Sequence, residues 1–568
     1  MNSLQLCQVR QPMKGVVYAP AEDLRRYVDA GLLTRETMAQ AFRASFAMHA
    51  ERVALAGVDG QWTYRQLDET TDRLAAAWLA MGLQPLDRVV FQIGNCVELV
   101  LGFIACLKAG LIPVCTLAAH REQEIGYLGR HAAAGMHFVQ GDDPKFDDVA
   151  FAARIRGEIP TMHWTVQARG EGRAGALQLR EQVETMPLAK ARAVLAELQL
   201  DPFQVAVFQL SGGTTGVPKI IPRFHNEYVY NMRAVAQFAG YTPDDCLFMP
   251  LPMMHNLNMG CCFGPFLLTG GTVAIAASVS PDAIGQVFRD FRPTWTALAG
   301  PIVEKLKPAI ASGALPLGGL RGVISPNNAP ALRDLLETSV RHIFGMTEGV
   351  IMLTKPDDPQ VVQDQMVGRP VSPLDKVKIF RAGTEEEITA EGEIGECAFA
   401  GPYTIHGYYD AAERDAQTFT SEGFYRSGDL MLFRDIGGKR YYQFCGRTKD
   451  VVDRAGEKVN AEEVELLVSR HPAVTAAAVV GMPDRVYGER ICVFVTLREG
   501  QAGLTVAELG TFLQDQGLAK FKWPERIEVL PELPLTNAGK LSKPSLRQMI
   551  TDKLAAEAAD GANARSFK

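Results

Sequence analysis

Leu210-Ser211-Gly212-Gly213-Thr214-Thr215-Gly216-Val217-Pro218-Lys219 is the stretch on which the reading of this chain turns. The run before it, Phe203-Gln204-Val205-Ala206-Val207-Phe208-Gln209-Leu210, alternates apolar residues in the manner of a strand. Small and hydroxyl-bearing residues then crowd together, so that backbone N–H and Ser/Thr O–H groups can converge on one anion. Such a loop suits a polyphosphate. It is not a Walker A loop, in which Lys follows Gly directly and precedes Ser or Thr, because Val217 and Pro218 intervene here. Taken alone, the stretch reads equally well as an ordinary Gly/Thr-rich turn.

Outward from the loop the chain alternates strand and helix patterns. Thr63 with Gln66 forms a capping-box signal, and the helix it opens puts Leu67, Leu74, Trp78 and Met81 on one face before Gly82 stops it. A strand is predicted at 87–93, a helix at 97–109 ending at Gly110, and a strand at 111–115. That is a βαβ unit, which implies a parallel sheet with helices on its faces. The pattern recurs around 272–277, 283–291 and 295–298, whereas 142–201 is polar, Ala-rich and weakly periodic and reads as peripheral. After Gly368 short strands such as 376–380 and 395–399 suggest a small β-rich subdomain. Beyond Gly446 come a helix at 461–469, capped by Asn460 with Glu463, and a strand at 475–480. The expected fold is therefore α/β. A large N-terminal domain, 1–448, combines βαβ subdomains with the β-rich one, and a smaller, mobile α+β C-terminal domain occupies 449–568.

Composition narrows the function. At 568 residues the chain exceeds one core, and 47% hydrophobic with 22% charged residues describes a globular protein. A net charge of −7 argues against a nucleic-acid partner, so phosphates must be met by a local site. The ten cysteines form no CxxC pair and no zinc spacing, which points to reduced, buried thiols in a cytoplasmic protein. The start lacks a basic segment followed by an apolar one, and the apolar stretch 97–119 carries Glu98, Lys108 and Pro113, so neither a signal peptide nor a membrane span is expected.

Further motifs follow the loop in order: Phe344-Gly345-Met346-Thr347-Glu348-Gly349, Tyr425-Arg426-Ser427-Gly428-Asp429-Leu430, Gly446-Arg447-Thr448-Lys449-Asp450 and Pro534-Leu535-Thr536-Asn537-Ala538-Gly539-Lys540. Together they resemble the core motifs of the adenylate-forming superfamily of acyl-CoA synthetases, peptide-synthetase adenylation domains and luciferases. Trp62-Thr63-Tyr64-Arg65-Gln66-Leu67-Asp68 and Ala119-His120-Arg121-Glu122-Gln123-Glu124-Ile125 are similar to the free-standing aryl-acid AMP ligases, the 2,3-dihydroxybenzoate and salicylate activators. The likeness spans nearly the whole chain.

That resemblance implies a reaction in two halves. A carboxylate first attacks the α-phosphorus of ATP, giving acyl-AMP and pyrophosphate, and two anions must meet, which calls for cations and backbone donors aimed at phosphate oxygens. By resemblance, Ser211, Gly212, Gly213, Thr214, Thr215, Gly216 and Lys219 cradle the β- and γ-phosphates, with Gly345 and Met346 beside the nucleotide. Thr347 contacts the α-phosphate, Glu348 holds Mg²⁺, Asp429 takes the ribose hydroxyls, and Arg447 contacts ribose or phosphate. Lys540 bridges the attacking carboxylate and the α-phosphate. In the second half the acyl group passes to a pantetheine thiol, of CoA or of a separate aryl carrier protein. The C-terminal domain swings at Lys449 between the halves, Ala455 and Gly456 line the pantetheine tunnel, and His255 gates it.

Pro250-Leu251-Pro252-Met253-Met254-His255-Asn256-Leu257-Asn258-Met259-Gly260-Cys261-Cys262 is the acid-pocket segment. Relatives that activate amino acids carry Asp where Asn256 stands, and a neutral amide cannot pair an ammonium in a desolvated pocket. Asn256 instead resembles the aryl-acid ligases, where it faces the ortho substituent of a benzoate; an amide, both donor and acceptor, suits a hydroxyl or a neutral aromatic amine. Cys261 stands where the 2,3-dihydroxybenzoate enzymes have Ser, and a thiol rewards a 3-hydroxyl poorly. Leu257 replaces their Tyr. Ser325 and Gly349 complete the expected wall, and the acid is expected to be a mono-substituted benzoate, salicylate or anthranilate. The sequence departs from the family at Val323-Ile324-Ser325-Pro326-Asn327-Asn328-Ala329, which replaces a Gly-Gly-Ala-type loop beside adenine and the ring.

Overall fold

The strand expected ahead of the loop forms as Val205–Ser211 and pairs antiparallel with Lys219–Phe224, Ser211 opposite Lys219. The structure is a computed structural model, and it describes residues 7–58, 60–211, 218–326, 329–454, 457–484, 487–501, 503–516, 518, 520–536 and 540–566. Gly212, Gly213, Thr214, Thr215 and Gly216 therefore lie outside the described residues, as do Asn327, Asn328, Ala455 and Gly456. The chain divides into two compact units, Met1–Lys376 with Phe399–Tyr425, and Val377–Ala398 with Arg426–Lys568.

The first unit is built on two largely parallel sheets. One has seven strands, in the spatial order Leu177–Gln178, Trp164–Gln167, Met136–Val139, Arg88–Gln92, Ile112–Val114, Val205–Ser211, Lys219–Phe224. The other has nine, with Gly322–Ser325 and Val340–Met346 adjacent and Gly349–Leu353 antiparallel beside them. Helix Val97–Ala109 forms where its pattern places it and stops at Gly110, whose φ of 73° is the left-handed turn that favours glycine. This helix is apolar on nearly every face, and Leu99 through Leu107 are buried. The Thr63–Gln66 capping box is present at helix Tyr64–Ala80, with Leu67, Leu74 and Trp78 in the core. The segment 142–201 corrects the expectation of a peripheral region. Its strand Trp164–Gln167 pairs with Met136–Val139 inside the sheet, and its helix Leu188–Ala196 seals onto the first-unit core through Leu195.

The second unit holds most of a four-stranded sheet, Lys376–Phe380, Gly395–Ala400, Tyr425–Ile436 and Lys439–Arg447. It also holds a five-stranded sheet in which Val474–Asp484 pairs with Gly488–Leu497 along its full length. Helix Ala461–Val468 is capped by Asn460, which accepts from Glu462 N at 3.0 Å; Glu463 does not take part but pairs with Lys522 at 2.7 Å. All ten cysteines are unpaired and nine are buried. No described helix is long and apolar enough to cross a membrane.

Candidate active site

The end of strand Val205–Ser211 carries an incomplete polar group. Ser211 Oγ is buried without a hydrogen-bond partner among the described residues. Across the pair, Lys219 Nζ lies 3.5 Å from Tyr408 Oη and 4.6 Å from the centre of its ring. Burial lowers the pKa of Lys219, as does Arg414, while Glu348 and Asp415 act in the opposite sense. Tyr408 donates its O–H to Glu348 Oε1 at 2.8 Å and sits 2.9 Å from Tyr425 Oη. Burial, reinforced by the Glu348 charge, pushes the Tyr408 pKa well up, so the phenol stays protonated and remains a donor.

Glu348 is thus an almost fully buried carboxylate in the turn between Val340–Met346 and Gly349–Leu353, its carbonyl accepting from Ile405 N at 2.8 Å. No cluster of three metal-ligating side chains occurs among the described residues. A hard ion such as Mg²⁺ fits Glu348 as one oxygen donor, with phosphate oxygens and water supplying the rest. Gly349 is required by geometry: its φ is 150°, and a Cβ would come within 2.8 Å of Thr404 Cα. Gly345 is exposed, and Met346 and Thr347 are half-buried, so the motif presents backbone and hydroxyl groups outward.

Beneath this turn lies a hub absent from the sequence reading. Arg223, on strand Lys219–Phe224, has a side chain only 1% exposed and forms a two-pronged pair with Glu227 at 2.8 Å on each arm. Its Nη1 donates to Asn256 Oδ1 at 3.2 Å and to the carbonyl of Thr347 at 3.1 Å, and Nη2 to Asn231 Oδ1 at 3.2 Å. One guanidinium therefore ties the expected acid pocket to the expected phosphate motif. Burial alone would lower its pKa, but Glu227 outweighs that and holds it above the ordinary arginine value. Tyr228 donates to the same Asn256 oxygen at 2.7 Å and stacks under the guanidinium at 4.3 Å. The signal was present in Pro222-Arg223-Phe224-His225-Asn226-Glu227: a cation inside an apolar strand, with a carboxylate four residues on.

Asn256 opens a one-turn helix that passes into a π-helix, Met259–Phe263. Two of the carbonyls there are held from the side, Gly260 O by Asn231 Nδ2 at 2.9 Å and Cys261 O by Tyr241 Oη at 3.1 Å. Cys261 is buried, its thiol pushed up to about 12 by burial against the pull of Arg223, so it faces its surroundings as a neutral, weakly polar group. Leu257 is half-buried against the core. His255 uses Nδ1 to accept from Leu257 N at 3.3 Å, which makes it the cap of that turn. Ser325 is fully buried at the end of its strand, opposite His342, whose ring lies between the carbonyls of Met366 at 3.0 Å and Pro326 at 3.3 Å.

The second unit brings Asp429, Arg447 and Lys449 together, and it also carries Lys540. Asp429 is paired in register with Arg447 across adjacent strands, Oδ1 to Nε at 3.2 Å, and is 3% exposed. Gly428 turns at φ 70°, and its carbonyl accepts from Thr448 Oγ1 at 3.0 Å. Lys449 sits in the turn Thr448–Asp450 that follows; burial lowers its pKa, with Arg447 acting in the same sense. Lys540 is exposed and closes a small loop, its carbonyl accepting from Thr536 N at 2.6 Å and its N–H donating to Thr536 Oγ1 at 3.2 Å.

Residues 42–409 match the AMP-binding enzyme family, and residues 463–540 match the AMP-binding enzyme C-terminal domain. The chain belongs to the AMP-binding enzyme family. It is 35% identical to the 2,3-dihydroxybenzoate-AMP ligase of Bacillus subtilis, over 96% of this chain and 99% of that one. It is 34% identical to a salicylyl-CoA synthase / salicylate adenylyltransferase of a Streptomyces species, over 95% and 98%. Among solved structures, apo MbtA of Mycobacterium smegmatis superposes with a TM-score of 0.71 at 30% identity, covering 96% of this chain and 100% of that one. The α/β fold and the adenylate-forming ligase chemistry expected from the motifs both stand.

Proposed function

We propose that this ligase activates a mono-ortho-substituted benzoate, of the salicylate or anthranilate type, to its aryl-AMP and then passes the aryl group to a pantetheine thiol. The observation that carries the substrate class is the buried Asn256, neutral where an ammonium would demand a carboxylate, and held by Arg223 and Tyr228. Relatives named for 2,3-dihydroxybenzoate and salicylate support it. Neutral, buried Cys261 favours a ring without a 3-hydroxyl.

In the first half-reaction a carboxylate oxygen of the acid forms a bond to the α-phosphorus of ATP, and the bond to the β-phosphate bridge breaks to release pyrophosphate. Ser211, with Gly212, Gly213, Thr214, Thr215, Gly216 and Lys219, would hold the β- and γ-phosphates beside Gly345 and Met346, and Thr347 would meet the α-phosphate. Mg²⁺, held by Glu348, would neutralise phosphate charge. Asp429 and Arg447 would bind the ribose, and Lys540 would offset the charge shared by carboxylate and α-phosphate. For the second half, a hinge at Lys449, between 1–448 and 449–568, would withdraw Lys540 and bring Ala455 and Gly456 to the thiol, with His255 at the tunnel mouth. The acceptor is CoA or a separate aryl carrier protein, and the unpaired thiols suit a cytoplasmic setting.

Acid-dependent exchange of labelled pyrophosphate into ATP tests the proposal, with salicylate, anthranilate, 2,3-dihydroxybenzoate, benzoate and a medium-chain fatty acid. Exchange with an ortho-substituted benzoate is expected; exchange with the fatty acid alone would overturn the substrate class.

A further inference from the structure

Strand Gly60–Thr63 and helix Tyr64–Ala80 carry the motif Trp62-Thr63-Tyr64-Arg65-Gln66-Leu67-Asp68, to which the ligase reaction gives no task. Against them lies a cavity of about 290 Å³, lined by Gln61, Trp62, Gln66, Glu69, Thr70 and Arg73. That volume is close to the lower bound of small-molecule pockets, about 300 Å³. The strand is one edge of the nine-stranded sheet, and the strands flanking Glu348 lie toward the other edge, so this cavity is separate from the catalytic turn.

The charges at the cavity are unusual for this helix. It has five charged residues, and three are paired: Arg65 with Glu51, Asp68 with Lys108 at 2.6 Å, and Asp72 with Lys108 at 2.7 Å and Arg43 at 2.9 Å. Glu69 and Arg73 are not, although a Glu four residues ahead of a basic residue is the favoured helical ion pair. Both are half-buried, and neither side chain has a hydrogen bond or ion pair among the described residues. Arg73 Nε is shut off from water with nothing to donate to, so this guanidinium is held at the wall and does not swing in solvent. The half-buried Thr70 hydroxyl, on the turn between the two, is also without a partner among the described residues. Gln66 spends its Oε1 on Thr63 N at 2.8 Å and so offers its amide N–H.

One cation and one anion, kept apart on the same cavity, call for a ligand with one charge of each sign. A simple anion would meet Glu69, and a simple cation would meet Arg73. We infer that this cavity binds a free α-amino acid, with its carboxylate on Arg73, its ammonium on Glu69 and its side chain toward Trp62 and the Gln61 and Gln66 amides. This inference does not depend on the aryl-acid reading. Its site is not the acid pocket either, where neutral Asn256 disfavours an ammonium.

The test is calorimetric titration of the full-length protein with each of the standard L-amino acids. Those that bind are titrated again as the amide, which lacks the carboxylate, and as the N-acetyl form, which lacks the ammonium. At least one free amino acid should bind with a Kd of ~1 mM or tighter. Each derivative should bind at least ~10-fold more weakly, because one charge at the wall is then left unpaired. Arg73→Gln and Glu69→Gln should each weaken binding by ~10-fold or more while pyrophosphate exchange stays within about 2-fold of native. No binding by any amino acid at ~10 mM would overturn the inference. So would derivatives that bind as well as the parent, undiminished binding by a folded Arg73→Gln, or displacement of the amino acid by salicylate, which would put it in the acid pocket. If either variant fails to fold, the derivatives titrated into the native protein decide.

Discussion

Glu227→Gln should unseat the arginine hub. The two side chains are close in shape, and Gln can still accept the Phe224 N–H that Glu227 Oε1 accepts at 2.8 Å. What changes is charge and polarity. Arg223 and Glu227 side chains are 1% and 9% exposed, so the variant leaves a guanidinium in the interior without its counter-ion. One arm of the former 2.8 Å pair must also set an amide N–H against a guanidinium N–H. Removing one partner of a buried ion pair costs about 3–5 kcal/mol. Acceptors remain on Asn231, Asn256 and the Thr347 carbonyl, and these offset part of the loss, leaving about 2–4 kcal/mol. In a unit of this size that lowers the melting transition by roughly 2–5 °C. Scanning calorimetry of the native protein, Glu227→Gln and the double variant Arg223→Met with Glu227→Leu would measure it. The double variant should recover part of the stability, since no unpaired charge stays buried, yet show a raised KM for the acid because Asn256 has lost its holder. A Glu227→Gln transition within ~1 °C of native would show that the buried guanidinium does not depend on the Glu227 charge.

Three further outcomes are expected. Lys540→Ala should reduce adenylation by on the order of 100-fold or more yet spare thioester formation from supplied aryl-AMP, and equal loss in both assays would exclude its proposed role. Gly349→Ala, which sets a Cβ 2.8 Å from Thr404 Cα at a φ of 150°, should cost about 2 kcal/mol or more and abolish exchange, readable from the melting transition and from pyrophosphate exchange on soluble protein. Burial pushes Asp375 up to about 7 even though Tyr403 donates to it at 2.6 Å. The folded state therefore holds an extra proton between the ordinary carboxylate value, about 4, and that value. Stability from this group is greatest below about pH 4, falls as pH rises to about 7, and is level above it. Asp375→Asn should flatten that slope, so the difference in melting temperature between acidic and alkaline buffer shrinks.

Elements set by local rules were legible in the chain. Helix Val97–Ala109 was readable because its stop is Gly110, and helix Tyr64–Ala80 because Thr63 and Gln66 satisfy its first turn. Strand Trp164–Gln167 was not: it is short, half its residues are polar, and only its partner Met136–Val139 makes it interior. The motif residues Glu348, Asp429 and Lys540 stand out through the family resemblance of the ordered motifs that carry them. Arg223 does not, because a charge in the run Ile220-Ile221-Pro222-Arg223-Phe224 looks like a strand end until Glu227 and Asn256 fold against it. Tyr408 escaped for a similar reason, since its task, donating to Glu348 at 2.8 Å, joins residues sixty positions apart.

In the proposed reaction a carboxylate oxygen of the acid bonds to the α-phosphorus of ATP. Salicylate labelled with ¹⁸O in both carboxylate oxygens, incubated with the enzyme, ATP, Mg²⁺ and a pantetheine thiol, tests it by mass spectrometry of the products. One ¹⁸O should appear in AMP and none in pyrophosphate, with the other retained in the thioester. Label in inorganic phosphate or pyrophosphate, or AMP formed without label, would contradict it.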